Sequence, residues 1–138
     1  MSNIHSCKII KMNTIEDDRG FLTSIESSFD IPIEIKRIFY MHSIKADRGG
    51  HAHIETDQIL ICLNGKFKVK ITDTFEEKIF ELNEPKIGLY IPRLLFTNLY
   101  DFSESAICLV MANTHYDFKK SLRTWDDYKN YISNGENS

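Results

Sequence analysis

Hydrophobic positions along this chain come in short runs, and they alternate with polar ones far more often than they recur at helical spacing. The cleanest run is 66–72, where Phe67, Val69 and Ile71 fall on one face and Lys66, Lys68 and Lys70 on the other. Successive side chains of a strand point to opposite sides, so the run predicts a half-buried strand. Segments 7–12, 21–26, 58–63, 78–82, 87–91, 94–99 and 106–112 are similarly short and rich in β-branched or aromatic residues, and 33–44 predicts a longer strand. Turn-forming stretches separate them: Asp17-Asp18-Arg19-Gly20, the polar loop 45–50, and 73–77. Asn64-Gly65 is the strongest hairpin signal, because a type I′ turn needs positive φ at both central residues. Only the C-terminal end reads as a helix. Leu122, Trp125, Tyr128, Lys129 and Ile132 recur near a 3.6-residue period, and Thr124 and Asp127 have the spacing of an N-cap box. The polar stretch 133–138 is expected to fray. About nine short strands separated by regular turn signals predict an all-β sandwich or barrel. A jelly-roll barrel, two sheets closed around a cavity, fits. An immunoglobulin-type sandwich is the alternative, and the Cys…Trp…Cys spacing that would support it is absent.

With 138 residues the chain is expected to be one domain, 1–138, with its core over 5–132. At 42% hydrophobic and 27% charged residues it has an ordinary globular composition. A net charge of −3 disfavours non-specific binding to nucleic acid or an anionic membrane, so neither is expected as a partner. A pocket for a small anion needs only a few local cations. No run approaches the roughly 20 apolar residues of a membrane span, and the N-terminus does not read as a signal peptide. Cys7, Cys62 and Cys108 are odd in number and far apart, two of them inside apolar runs. They read as buried free thiols of a reducing compartment, which makes a cytoplasmic location the expectation.

The chemistry concentrates in Gly50-His51-Ala52-His53. Two histidines two residues apart on a strand share a face. Imidazole titrates near neutrality, so the pair can hold a metal or move protons. The stretch from Gly50 through Gln58 to Gly65 resembles the first cupin motif, His-x-His, then an acidic residue, then glycine. Gly88-Leu89-Tyr90-Ile91-Pro92 resembles the second motif, whose third metal-binding histidine would fall near Phe96-Thr97. Gln58 replaces the acidic ligand and the third histidine is missing. Two imidazoles without a carboxylate bind zinc or iron weakly, so no metal is expected and the pair reads as proton carriers.

Residues 5–132 as a whole resemble the dTDP-4-keto-6-deoxyglucose 3,4-ketoisomerases, metal-free cupins of bacterial deoxysugar pathways. The resemblance rests on Asp18-Arg19-Gly20, Ile35-Lys36-Arg37, Arg48-Gly49-Gly50-His51-Ala52-His53, Gln58, Cys62-Leu63-Asn64-Gly65, Gly88-Leu89-Tyr90-Ile91, Asp101-Phe102-Ser103 and Tyr116-Asp117. It departs at 93–96, where the family usually carries a tryptophan. It departs again at 116–125, where the family usually reads Tyr-Asp-x-x-Asp-Tyr-Ile-Arg-x-Tyr. That second departure is expected to touch packing more than chemistry.

The resemblance implies a cupin jelly roll with a short C-terminal helix and a cofactor-independent isomerase. Its partners would be a dTDP-linked 4-keto-6-deoxy sugar and a second copy of the chain in a homodimer. The product would be a 3-keto-6-deoxyhexose on the way to an amino sugar of a surface polysaccharide such as O-antigen. The Arg19-Gly20 form resembles the branch that makes the galacto-configured product. Moving a ketone from C4 to C3 needs a base, a second proton carrier and a donor for the enolate oxygen. His51 is expected as the carbon base and His53 as its partner, with the roles reversible. Arg48 is expected on the diphosphate. Arg37 is expected to meet a phosphate, a sugar hydroxyl or a cross-strand carboxylate. Tyr40 would stack on the thymine or pack in the core, Gln58 would bond the ligand or fix a histidine tautomer, and Asp101 would orient an imidazole or cap a turn. Two other readings compete, a 3,5-epimerase-like enzyme and a non-catalytic nucleotide-sugar-binding cupin.

Overall fold

Two five-stranded antiparallel sheets lie face to face in the computed structural model, which describes residues 3–136. The strands are β1 (Lys8–Lys11), β2 (Asn13–Asp17), β3 (Gly20–Ser24), β4 (Arg37–Met41), β5 (Arg48–His53), β6 (Gln58–Asn64), β7 (Phe67–Thr72), β8 (Glu77–Leu82), β9 (Ile87–Ile91), β10 (Phe96–Tyr100), β11 (Ile107–Ala112) and β12 (Ser121–Leu122). One helix, α1 (Trp125–Glu136), closes the described chain. The first sheet runs β1-β9-β6-β11-β4 and the second β12-β5-β10-β7-β8; β2 and β3 form a separate hairpin. This is the jelly-roll layout that the strand pattern predicts. Among the described residues no helix is long and apolar enough to cross a membrane.

The inner faces meet in one core, with Leu60, Cys62, Leu89, Cys108 and Val110 from the first sheet against Phe67, Val69, Ile71, Leu82 and Leu99 from the second. Strand β7 alternates buried and half-buried residues as its sequence predicts. Strand β6 does not alternate, because it is covered on both sides. Its other face carries Ile59 and Ile61, which pack under Met12, Ile31, Ile33 and Met111. Burying a side chain of this size contributes about 1.5–3 kcal/mol, and β6, next to the site, gains it on both faces.

Two expectations are corrected, and two elements go beyond them. Asn64-Gly65 does not turn a hairpin: β6 pairs with β9 and β11, whereas β7 pairs with β8 and β10, so the segment carries the chain from one sheet to the other. Only Gly65 has positive φ there (73°), and a Cβ on it would collide with Ser103 and Ala106. The long strand over 33–44 shrinks to β4, since Ile31 and Ile33 leave the sheet to cover the back of β6. An unforeseen strand, β2, pairs with β3 around Asp18 and Arg19. Helix α1 starts at its predicted cap, Asp127 N donating to Thr124 Oγ1 at 3.1 Å, and runs to Glu136, into the stretch expected to fray. Residues 137–138 lie outside the described chain.

Candidate active site

The histidine strand is broken by a bulge. Strand β10 aligns Thr97 with His51 but Asn98 with Gly49, leaving Gly50 as the extra residue. Gly49 and Gly50 both have positive φ (86° and 75°), conformations that cost a residue with a Cβ. In a regular strand, Arg48 and His51, three positions apart, would face opposite sides. The bulge shifts the parity, and Arg48, His51 and His53 line one space. The segment 45–50, expected as a loop, thus ends as the first half of β5.

The two imidazoles lie edge to face with ring centroids 4.9 Å apart. They divide two cavities. On the inner side is a chamber of about 100 Å³, lined by Phe39, Met41, Arg48, Gln58, Leu60 and Thr97 among others. On the outer side is a cleft of about 710 Å³ between edge strand β4 and the pair β5–β12. The cleft has the size of a small-molecule site, and the chamber is too small for a nucleotide.

Burial pushes His53 down to about 4, helped by the positive charges of His51, Arg37 and Arg123. Burial also lowers His51. A hydrogen bond to the Gly49 backbone opposes that fall, and the charges of Arg123 and Arg48 add to it. Both rings are therefore neutral at pH 7. Gln58 sets the tautomer of one of them. Its amide nitrogen lies 3.1 Å from His53 Nε2, so the ring nitrogen accepts and the ring proton sits on Nδ1. A donor facing the lone pair also opposes protonation.

Gln58 is itself fixed through its neighbour. Asp57 accepts from Arg93 N (2.7 Å), Arg93 Nη2 (3.0 Å) and Asn113 Nδ2 (2.9 Å), and its own N–H donates to Asn113 Oδ1 at 2.8 Å. Burial would raise the Asp57 carboxyl, but the Arg93 and Asn113 contacts outweigh it and hold the group below the usual range.

The other expected residues divide. Arg37 lines the cleft with its guanidinium 5.1 Å from the Phe39 ring centroid and 5.3 Å from that of Tyr116, and its buried Nε has no hydrogen-bond partner among the described residues. Three others do not come to the histidines within one chain. Tyr40 is 64% exposed on the outer face of β4, beside His42. Asp101 is exposed and paired with Lys68 at 3.4 Å. Arg19 stands at the tip of the β2–β3 hairpin, paired with Asp17 at 2.7 Å.

The sequence reading missed the far wall of the cleft. His115, Tyr116, Asp117, Lys120, Ser121 and Arg123 line it, because β12 pairs Ser121 with His53 and Leu122 with Ala52. The divergent tail segment thus belongs to the site, not to packing alone. Its readable signal is Arg123, which stands where the family pattern also has arginine. Lys120 is neutralised by Glu55 at 3.2 Å. Among the described residues, Arg37, Arg48 and Arg123 have no carboxylate partner, so three guanidinium groups surround the histidines with unspent charge.

A family model described as FdtA: WxcM-like, C-terminal, matches residues 5–133. The chain belongs to this family. It is 36% identical over 128 residues to a TDP-4-oxo-6-deoxy-α-D-glucose 3,4-oxoisomerase of Aneurinibacillus thermoaerophilus, covering 91% of this chain and 92% of that one. Its fold superposes with a TM-score of 0.91, at 39% identity, on the sugar 3,4-ketoisomerase QdtA of Thermoanaerobacterium thermosaccharolyticum in complex with TDP, covering 96% and 98% of the two chains. A histidine-to-asparagine variant of QdtA has been crystallised with TDP-4-keto-6-deoxyglucose (TM-score 0.89, 39% identity, 93% and 94% covered). A 3,5-epimerase of Legionella pneumophila shares the fold alone, at 18% identity and a TM-score of 0.72 over 87% of this chain and 73% of that one. The architecture is the cupin-type jelly roll of the 3,4-ketoisomerases.

Proposed function

We propose that this protein converts dTDP-4-keto-6-deoxyglucose into the dTDP-3-keto-6-deoxyhexose, with no cofactor, by moving protons between the substrate and its two histidines. The observation that carries the reading is the pair itself: two neutral imidazoles in edge contact on the floor of a nucleotide-sized cleft, ringed by unpaired arginines. His51 removes the proton from C3, and the electron pair forms the C3=C4 bond as the C4 oxygen takes up charge. His53, with its proton on Nδ1, donates to that oxygen and gives the enediol. The O3 proton then passes back to His53, the C3 carbonyl forms, and His51 returns its proton to C4. Atoms and charge balance over the cycle.

The arginines divide by position. Arg37 and Arg123 face the large cleft and suit the diphosphate and the developing enolate charge; Arg48, itself exposed, borders both the small inner chamber and a surface groove along 40–47. The galacto-configured product follows from the Arg19-Gly20 resemblance. Three buried free thiols suit a reducing cytoplasm.

The protein is proposed to act as a homodimer. Ile15, Phe21 and Leu22 stand exposed on the β2–β3 hairpin and Ile38 on the open edge of β4, surfaces that a second copy would cover. Arg19 reaches a site only in such a pair. Gel filtration should give twice the mass of the chain; elution as a monomer removes the dimer and, with it, a substrate role for Arg19.

Incubation with dTDP-4-keto-6-deoxyglucose in D₂O and EDTA, followed by NMR, tests the reaction. The expected result is a 3-keto sugar with a new bond at C4 to hydrogen carried over from C3 or to deuterium taken from the solvent. Exchange at C5 with inversion would make the protein an epimerase, and unchanged sugar on a protein that still binds TDP would make it a binder.

A further inference from the structure

Behind the histidine strand lies a contact that the reaction as described does not use. Ala52, between the two histidines, is fully buried and faces away from the cleft into a cluster with Phe96 and Tyr128, flanked by Leu122 and Ile132. Tyr128, on α1, is 1% exposed, and its hydroxyl donates to the Leu94 carbonyl at 2.9 Å. Leu94 in turn donates its N–H to the backbone carbonyl of His53 at 2.8 Å. Leu94 has φ +64°, a left-handed conformation that a leucine adopts only when its surroundings hold it there.

We propose that Tyr128 is a positioning residue for the isomerisation, acting through Leu94 on His53. The inference rests on the proton-transfer reading above. The hydroxyl fixes the peptide that follows the Leu94 Cα, and with φ held at +64° the N–H of the peptide before it is turned onto His53. The preceding residue is pinned from the other side, Arg93 N donating to Asp57 Oδ1. Asp57 adjoins Gln58, which holds the ring of the same histidine. The backbone and the imidazole of His53 are thus fixed by two arms that meet at residues 93–94. Without the phenol oxygen, Leu94 relaxes toward the right-handed region and leaves the Gln58–His53 bond without backbone support. The Tyr128 ring itself keeps its place against Phe96 and Trp125, with centroids 5.7 and 5.5 Å away.

The test is Tyr128→Phe in the full-length protein. The expected result is a fall in kcat of about 10- to 100-fold, the size of effect a small misplacement produces, with KM, TDP affinity and circular dichroism unchanged. Adding Leu94→Gly should restore most of the loss, because glycine takes φ +64° without restraint. Nitrogen-15 NMR of the imidazoles reads the same point without turnover: His53 should lose its fixed Nδ1–H tautomer in the single variant. That measurement separates a failure of this inference from a failure of the functional reading, since it holds even if the wild-type protein leaves the sugar unchanged. Wild-type kcat with an unaltered His53 spectrum overturns the proposal. So does a parallel loss of kcat, TDP affinity and circular dichroism that Leu94→Gly does not rescue, which would make the role structural.

Discussion

Replacing either His51 or His53 by asparagine is expected to lower kcat by roughly 10²- to 10⁴-fold, the range for loss of a positioned acid or base. TDP affinity should stay within a few-fold, because the arginines that suit the phosphates remain. Asparagine keeps a polar group of similar reach and cannot take up a proton at these pH values. The two variants should differ. Without His51, exchange of the C3 proton with D₂O stops altogether. Without His53, slow exchange at C3 continues, since the carbon base remains while the oxygen proton has lost its carrier. The pH dependence follows from the lowered pKa values. A base must be unprotonated to act, so kcat/KM should stay level as pH falls through 6.5, the ordinary histidine value, and decline only below it, as His51 protonates. His53, held near 4, stays neutral throughout this range. A decline centred at or above pH 6.5 would show that His51 is not the base or is not desolvated in solution. Wild-type turnover in either asparagine variant would remove that histidine from the mechanism.

The shared face of His51 and His53 was legible from spacing alone, because side chains two apart on a strand must point together. The same rule misplaces Arg48. Counting residues puts it opposite His51, and only the bulge at Gly49-Gly50 brings it round. The double glycine was the visible sign, but a glycine pair marks a loop as readily as a bulge. Asn64-Gly65 failed for a related reason: turn propensity reports what φ a residue tolerates, not which strand comes next, and here the chain changes sheets. The doubly covered β6 kept its strand assignment because a continuous apolar run fits a buried strand as well as an alternating one fits a half-buried strand. The wall carrying Tyr116 and Arg123 was hidden by distance in sequence. Nothing local says that Ser121 will pair with His53, about 70 residues earlier, and only the family pattern singles out the arginine. Tyr40 and Asp101 show the converse. Each lies near the site in sequence, and strand parity or an ion pair to Lys68 turns it elsewhere within the chain.

The bulge makes the second large prediction. Gly49→Ala places a Cβ 2.6 Å from the Thr97 carbonyl oxygen, a backbone atom that cannot step aside without breaking the pairing of β5 with β10. It also forces alanine to φ +86°. Strain and clash together should cost about 2–4 kcal/mol, which lowers Tm by roughly 10 °C in a domain of this size. If the chain escapes by straightening β5, Arg48 swings to the opposite face from His51, and activity falls even in the molecules that stay folded. Gly50→Ala is the internal control. It also has positive φ, but its Cβ would meet only the Asn98 side chain, at an ordinary 3.5 Å, so it should lose about 1 kcal/mol and keep most of its turnover. The ratio of the two effects separates the close approach from the backbone conformation. Equal losses would mean that positive φ alone is responsible, and a Gly49→Ala protein with wild-type Tm and kcat would mean that the bulge does not set the geometry of the site.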